Sequence, residues 1–277
     1  MSGIFKPIIV QPVKHIYNML TLPEYFTHNR LWTQLRFVQR YHDCNVKFNN
    51  WNLTIPDNLS FLYSYKEIFL DKIYNFKFES QAPRILDLGA NIGLSILFFK
   101  YLYPNAKITG FEADPKIFTY LKQNIYGNGY IDVELINKAI WYENTKLSFM
   151  SEGSDAGKIS SNQSNIVVEA VDIFDILSHE KFDFIKMDIE SAEEFVIPRC
   201  RDLLNEVKFI FIEYHSTIGK DQCLDKILLF LKESKFRIHI CSVSYTNLSP
   251  FIEIKPQTNF DLQLNIFGWK ENKDNDE

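Results

Sequence analysis

Asp87, Gly89 and Gly93 stand in the run RILDLGANIGLS, and Glu112 closes the next apolar stretch, AKITGFEA. A strand ending at Leu88 would turn sharply at Gly89, where glycine takes φ > 0 and brings backbone close to a ligand. Gly93 then lets the following helix lie near the sheet, and the first amides of that helix face the space above the strand end. Any strand-to-helix turn favours Gly and Asn, so the spacing alone is a weak signal. Glu112 strengthens it, because an acid ending the second strand is where doubly wound folds accept hydrogen bonds from ribose hydroxyls. Asp114 and Pro115 directly after it read as a helix start, so Asp114 caps while Glu112 is left to bind.

Further along, FDFIKMDIES and FIEYHS each end in ionisable residues. Two-residue alternation puts Lys186, Asp188 and Glu190 on one face of the first, and Glu213 and His215 on one face of the second. Three charged side chains in an otherwise apolar strand require partners if they are buried. A Lys186 to carboxylate bridge, with Glu190 or Ser191 capping the next helix, is the plain structural account. Of the 6 histidines, His215 alone is placed by such a pattern.

The nucleoside can be narrowed. A dinucleotide needs G-x-G-x-x-G to seat its pyrophosphate, but here Ala90 and Asn91 follow Gly89, and Asp87 would repel a phosphate while attracting an ammonium. S-adenosylmethionine offers ribose hydroxyls, an amino group and a sulfonium, with no phosphate. Two other readings stay open: a nicotinamide-dependent oxidoreductase on the same fold, distinguished by its glycine pattern, and a non-catalytic adenosyl-binding protein.

The elements that must position these residues follow from residue 84 on, where short β-rich runs alternate with helical stretches, as in βαβ units. Strands are expected at RILDLGA, AKITGFEA, VELINKAI, FDFIKMDI, KFIFIEYHS, FRIHICSV and LQLNIFGWK, with helices from about Ile92 to Tyr103, Pro115 to Tyr126, Ala192 to Asn205 and Asp221 to Ser234. The last two strands are joined too briefly for a parallel crossover, so they are antiparallel. Residues 1–80 read as an accessory region: a helix from Thr21 with Thr21 and Glu24 at capping-box spacing, a hairpin at Asn49 and Asn50, and a helix in FLYSYKEIFLDK. Residues 81–270 form the main domain, with a polar loop at 152–165 that Gly153 and Gly157 could hinge as a lid. Residues 271–277 are a frayed acidic tail.

A net charge of −5 supplies no broad basic field for nucleic acid. The 4 cysteines form no CxxC pair, which suggests neither zinc nor a disulfide framework. The N-terminal run breaks at Gln11 and Pro12, unlike a signal peptide, and no segment approaches the ~20 apolar residues of a membrane span. A cytoplasmic location is the resulting expectation.

The blocks ILDLGANIG, GFEADP, FIKMDIESAE and FIEYHS, in this order between Glu67 and Ser216, resemble FkbM-type S-adenosylmethionine-dependent methyltransferases. The resemblance implies a class I α/β fold: a Rossmann-like, seven-stranded, mostly parallel sheet with helices on both faces and the last strand antiparallel. It implies that Asp87, Gly89, Ala90, Asn91, Gly93, Glu112, Ala113 and Asp188 hold S-adenosyl-L-methionine. It also places the methyl group above the end of FDFIKMDIES, so that Asp188 or His215 would take a proton from an acceptor hydroxyl, with Glu190 and Glu213 toward the substrate. A neutral imidazole with a pKa of about 6.5 suits that task. The acceptor implied is a sugar, a glycan in polysaccharide biosynthesis, or a secondary metabolite. Asp188, Glu190, Glu213 and His215 also look like an oxygen-rich metal site, but the resemblance requires no metal and none is expected. Ser191 departs from the family, which has Gly there; Ser fits where the backbone avoids φ > 0.

Overall fold

In the computed structural model, Asn49 and Asn50 both take left-handed backbone conformations, at φ 45° and 69°, the pair of values a tight hairpin turn demands. They join β1 (Cys44–Phe48) to β2 (Trp51–Ile55), paired with Phe48 opposite Trp51. The structure describes residues 17–150, 158–159, 166–200, 202–243, 251–252 and 260–271. The polar loop, apart from Lys158 and Ile159, and the tail beyond residue 271 lie outside the described residues. The chain divides into two units, Met1–Asn75 and Phe76–Glu277.

In the first unit, Phe48 packs within 5.5 Å of the rings of Trp51, Tyr65 and Phe69, so hairpin and helices share one aromatic core. Helix α1 (Pro23–Leu35) starts after Leu22 with no side-chain cap among the described residues. The capping box expected from Thr21 and Glu24 does not form, because Thr21 belongs to a preceding helical turn and its Oγ1 donates to the Tyr17 carbonyl at 2.7 Å. The helix stops at Leu35 because buried Asn58 donates through Nδ2 to the carbonyls of Leu35 and Val38, at 2.8 and 2.9 Å. Asp57 caps α2 (Asn58–Tyr65), accepting from the Ser60 amide at 2.9 Å and from Arg40 Nε at 2.7 Å. The helix continues as a wider turn over Lys66–Leu70.

The second unit holds the expected α/β sheet. Its elements are β3 (Arg84–Leu88), α3 (Leu94–Leu102), β4 (Lys107–Phe111), α4 (Pro115–Tyr126), β5 (Glu134–Ile136), β6 (Ala139–Trp141), β7 (Thr145–Met150), β8 (Lys158–Ile159), β9 (Ile166–Asp172) and α5 (Ile173–His179). There follow β10 (Phe184–Met187), α6 (Glu193–Val196), β11 (Phe209–Thr217), α7 (Leu224–Glu233), β12 (Arg237–Ser242) and β13 (Phe260–Trp269). Seven strands lie in the order β12-β13-β11-β10-β3-β4-β5, and β13 is antiparallel to both neighbours. β3 and β10 are buried along nearly their whole length, as parallel strands covered on both faces must be.

Two elements differ from the sequence reading. VELINKAI is not one strand: it parts at Asn137 and Lys138, where Asn137 Nδ2 donates to the carbonyls of Glu112 and Ala113 at 2.8 and 3.1 Å. The chain then builds a second sheet, β6-β9-β7-β8. The helix expected over Ala192 to Asn205 is one α-turn followed by a 3₁₀ turn at Ile197–Cys200, since Pro198 has no amide to continue it. No helix among the described residues is long and apolar enough to cross a membrane.

The sheet runs outward from β3 in both directions, to β4 on one side and β10 on the other. The carboxyl ends of these strands flank a topological switch point, where open α/β sheets bind ligands.

Burial pushes the Asp57 carboxyl up, but hydrogen bonds from Arg40, Ser60 and Tyr41 outweigh this and bring it from 3.8 to about 2. Its contribution is therefore present above its unfolded pKa and lost as pH falls through about 2. Asp57→Ala should destabilise the protein by about 2 kcal/mol at pH 7 through loss of a cap and a buried charged partner. Urea melts should show this deficit shrinking toward pH 2.

Candidate active site

The turn after β3 is built by three left-handed residues, Gly89 at φ 87°, Asn91 at 48° and Gly93 at 95°. It is anchored to β4: the amides of Gly89 and Ala90 both donate to the Phe111 carbonyl, at 3.0 and 2.8 Å. Glu112 accepts from the Asn91 amide at 2.9 Å with one oxygen and from the Asp114 amide at 2.8 Å with the other. Asp114 itself caps α4. Fully buried Asn124 donates from α4 to the Ile92 carbonyl at 3.0 Å. Ala113 is held by Asn137. Burial pushes the Glu112 carboxyl up to about 7, against the two amide hydrogen bonds.

Gly89 is required by sterics as well as by φ. A Cβ there would come within 1.9 Å of the Asp188 carbonyl oxygen, so β3 and the end of β10 pass in direct backbone contact.

Asp87 lies beneath the turn, completely buried, with Oδ2 on Ser95 Oγ at 2.5 Å and Oδ1 3.3 Å from Lys186 Nζ. Lys186, only 3% exposed, donates to the Gly89 carbonyl at 2.6 Å and stands 3.5 Å from Asp188 Oδ2. Burial pulls this lysine down, but Asp87 and Asp188 outweigh it and its pKa is raised. The carboxyl of Asp87 thus meets an internal ammonium, where the sequence reading had it meet a ligand's.

At the ends of β10 and β11, His215 is enclosed by acids. Its Nδ1 lies 3.4 Å from Glu193 Oε1, and its Nε2 lies 3.5 Å from Glu213 and 3.8 Å from Glu190. Glu193 is 1% exposed and also accepts the Ile189 amide at 3.2 Å. Phe260 covers the ring at 4.7 Å. Burial would lower the imidazole pKa, yet the hydrogen bonds to Glu193 and Glu213 and the charge of Glu190 raise it well above its usual value. The acids around His215 thus favour the protonated form of its ring, a setting that the sequence alone did not reveal. Burial and neighbouring carboxylates raise Glu190 well above its ordinary range, and burial and Asp188 raise Glu213 as well. Asp188, Glu213 and His215 each present a donor atom within 4.8 Å of the others. An opening lined by Ser191, Glu193, His215, Thr217 and Lys220 lies beside the imidazole.

The predicted residues thus fall into two neighbouring groups on one sheet edge: Gly89 to Gly93 with Glu112 and Ala113, and Asp188, Glu190, Glu213 and His215. A family model, the methyltransferase FkbM domain, matches residues 87–238, a span that contains both groups. The chain belongs to the FkbM methyltransferase family.

Among curated relatives of this FkbM domain, the 2-O-methyltransferase NoeI of Sinorhizobium fredii is 29% identical over 160 residues, covering 49% of this chain and 65% of that protein. Methyltransferase sdnD of Sordaria araneosa is 44% identical over 63 residues, 23% of this chain and 24% of that protein. The chain therefore spans less than two thirds of the length of either relative. Among solved structures, an FkbM methyltransferase from Methylobacillus flagellatus aligns with a TM-score of 0.50 at 14% identity, over 76% of this chain and 52% of that one. A SAM-dependent methyltransferase from Agrobacterium tumefaciens aligns with 0.51 at 10% identity, over 83% and 71%. These establish the fold.

Sequence reasoning missed Glu193, Ser95, Gln263 and Asn265. Glu193 sits three positions after Glu190 in IESAEE, a spacing that turns both toward one side of a helical turn. Gln263 donates to Glu213 at 3.1 Å from β13, a contact set by strand register that no local pattern encodes. Ser191 also departs from expectation: it takes φ 74°, directly after Glu190 at 55°.

Gly89→Ala should abolish cofactor binding and lower the melting temperature, because Cβ would collide with the Asp188 carbonyl. At Ser191 two effects oppose each other. Glycine would relieve about 1 kcal/mol of left-handed strain but lose the 3.1 Å contact between Ser191 Oγ and Thr217 Oγ1, a bond of about 1 kcal/mol. Ser191→Gly should therefore be near neutral in stability, while Ser191→Ala, which keeps the strain and loses the bond, should melt lower.

Proposed function

We propose that this FkbM domain transfers a methyl group from S-adenosylmethionine to a hydroxyl of a sugar, glycan or other small-molecule acceptor. The observation that carries the reading is the pairing, on one sheet edge, of a Glu112-anchored glycine turn with a cluster of acids around His215. Each Glu112 oxygen accepts one backbone amide and keeps lone-pair capacity for a ribose hydroxyl. Asp188 and Glu190, at the neighbouring strand end, suit an ammonium or a sulfonium. The residues present therefore fit the cofactor, and the 2-O-methyltransferase name of one relative supports a hydroxyl acceptor.

When bound, S-adenosylmethionine supplies an electrophilic methyl on a good leaving group, so positioning contributes most of the rate. Asp87 and Lys186 hold Gly89 and Asp188 in register under the turn. Asp188 would hold the methionine part of the ligand. Glu213 would accept the proton of the acceptor hydroxyl: its raised pKa brings a carboxylate nearer to the working pH, and it adjoins His215, which lines the opening. His215 orients Glu213, itself oriented by Glu193.

Calorimetry with S-adenosylhomocysteine tests the cofactor half. Affinity should rise as pH increases through about 7, where Glu112 ionises in the free protein, and Glu112→Gln should remove this dependence and weaken binding about 10-fold, one charge-assisted hydrogen bond's worth. Unchanged affinity in Glu112→Gln would refute the ribose assignment. His215→Ala should spare this affinity and slow transfer, measured as label passing from S-adenosylmethionine into extracts fractionated by class. Label arriving on amines alone would replace the hydroxyl acceptor.

A further inference from the structure

Asp188, Glu213 and His215 offer donor atoms that all lie within 4.8 Å of one another, and three features around them concern what should sit between. First, Glu193, 1% exposed, holds His215 by Nδ1 and leaves Nε2 facing Glu213 and Glu190. A carboxylate behind one ring nitrogen is the arrangement that fixes a histidine for ligation through the other. Second, Asn265 is 93% buried, and its Oδ1 has no hydrogen-bond partner among the described residues. It is the cross-strand partner of Glu213 in the β11–β13 register, which places both side chains on the face that carries the cluster. Third, Glu190 Oε2 is buried without a hydrogen bond among the described residues and has the His215 ring 3.8 Å away. A buried carbonyl oxygen with no donor, beside a group of acids, is unfavourable unless a donor or a cation satisfies it.

We infer that Asp188, Glu213 and His215 bind a hard divalent cation, with Asn265 Oδ1 as the adjoining carbonyl donor. Two carboxylates, an imidazole and an amide carbonyl suit Mn²⁺ or Mg²⁺ better than thiophilic metals. Donors about 2.1 Å from such an ion lie roughly 3 to 4 Å apart, so separations of up to 4.8 Å would close by at most about 1 to 2 Å on binding. The Lys186 ammonium stands 3.5 Å from Asp188 Oδ2 but donates to the Gly89 carbonyl and pairs with Asp87, which hold it toward β3. The ion would sit beside the opening at His215, where an acceptor's paired oxygens could complete its shell.

The test uses the full chain without cofactor or acceptor, so its outcome is independent of methyl transfer. Mn²⁺ is titrated in while the electron paramagnetic resonance of the free ion is followed. One ion should bind with a Kd below about 1 mM. Glu213→Gln and Asp188→Asn should each weaken it at least ~10-fold, and Glu206→Gln, in a remote exposed pair with Lys181, should leave it unchanged. Circular dichroism melts establish that the variants are folded. If Glu213→Gln does not fold, Asp188→Asn, whose side chain is 26% exposed, carries the comparison. No saturable binding by the folded wild-type protein, or wild-type affinity in a folded cluster variant, would overturn the site.

Discussion

The buried ammonium of Lys186 is the contact on which the rest of this site depends. It reaches from β10 to the Gly89 carbonyl and to the carboxylates of Asp87 and Asp188, linking the turn after β3 to the strand end that bears the acidic cluster. A buried lysine without partners would shed its proton, and a buried aspartate would take one up. Asp87 and Asp188 favour the charged lysine, and Ser95 satisfies the second oxygen of Asp87. Breaking either side would leave an uncompensated charge, which is far more damaging than replacing the pair as a whole. Asp87 thus acts one layer below any ligand, as a strut for the loop above it.

Across the edge, five carboxylates (Asp87, Asp188, Glu190, Glu193 and Glu213) face two basic side chains, Lys186 and His215. Two like charges about 4 Å apart repel by ~4 kcal/mol at an effective dielectric constant of ~20. Full ionisation of all five is therefore unfavourable, and the pKa values of Glu190, Glu213 and His215 are all raised. Such an edge favours positive charge in whatever binds there. A ligand carrying an ammonium and a sulfonium relieves the same imbalance that a metal ion does.

Much of this was legible in the residues. The strands from Ile85 to Leu88 and Lys107 to Phe111 announce themselves as apolar runs ending in Gly or acid, and α4 starts and ends where Asp114-Pro115 and Tyr126 say it should. The hairpin at Asn49-Asn50 was equally local in origin. What could not be read depends on contacts distant in sequence. The setting of His215 depends on Glu190 and Glu193, from the turn and helix after β10, as well as on Glu213 of its own strand, and that of Asp87 depends on a lysine 99 positions away. The capping pattern at Thr21 and Glu24 failed for a different reason: the hydroxyl had a competing carbonyl one turn back.

The departure of the chain at Asn137 has a consequence for the sheet itself. Because the polypeptide leaves to build a second sheet, β5 is only 3 residues long, and it forms one margin of the main sheet. A margin this short presents too few free amides and carbonyls in a row to template a further strand. The same amide of Asn137 that pins the loop behind Glu112 thereby also closes that side of the molecule to edge-to-edge self-association.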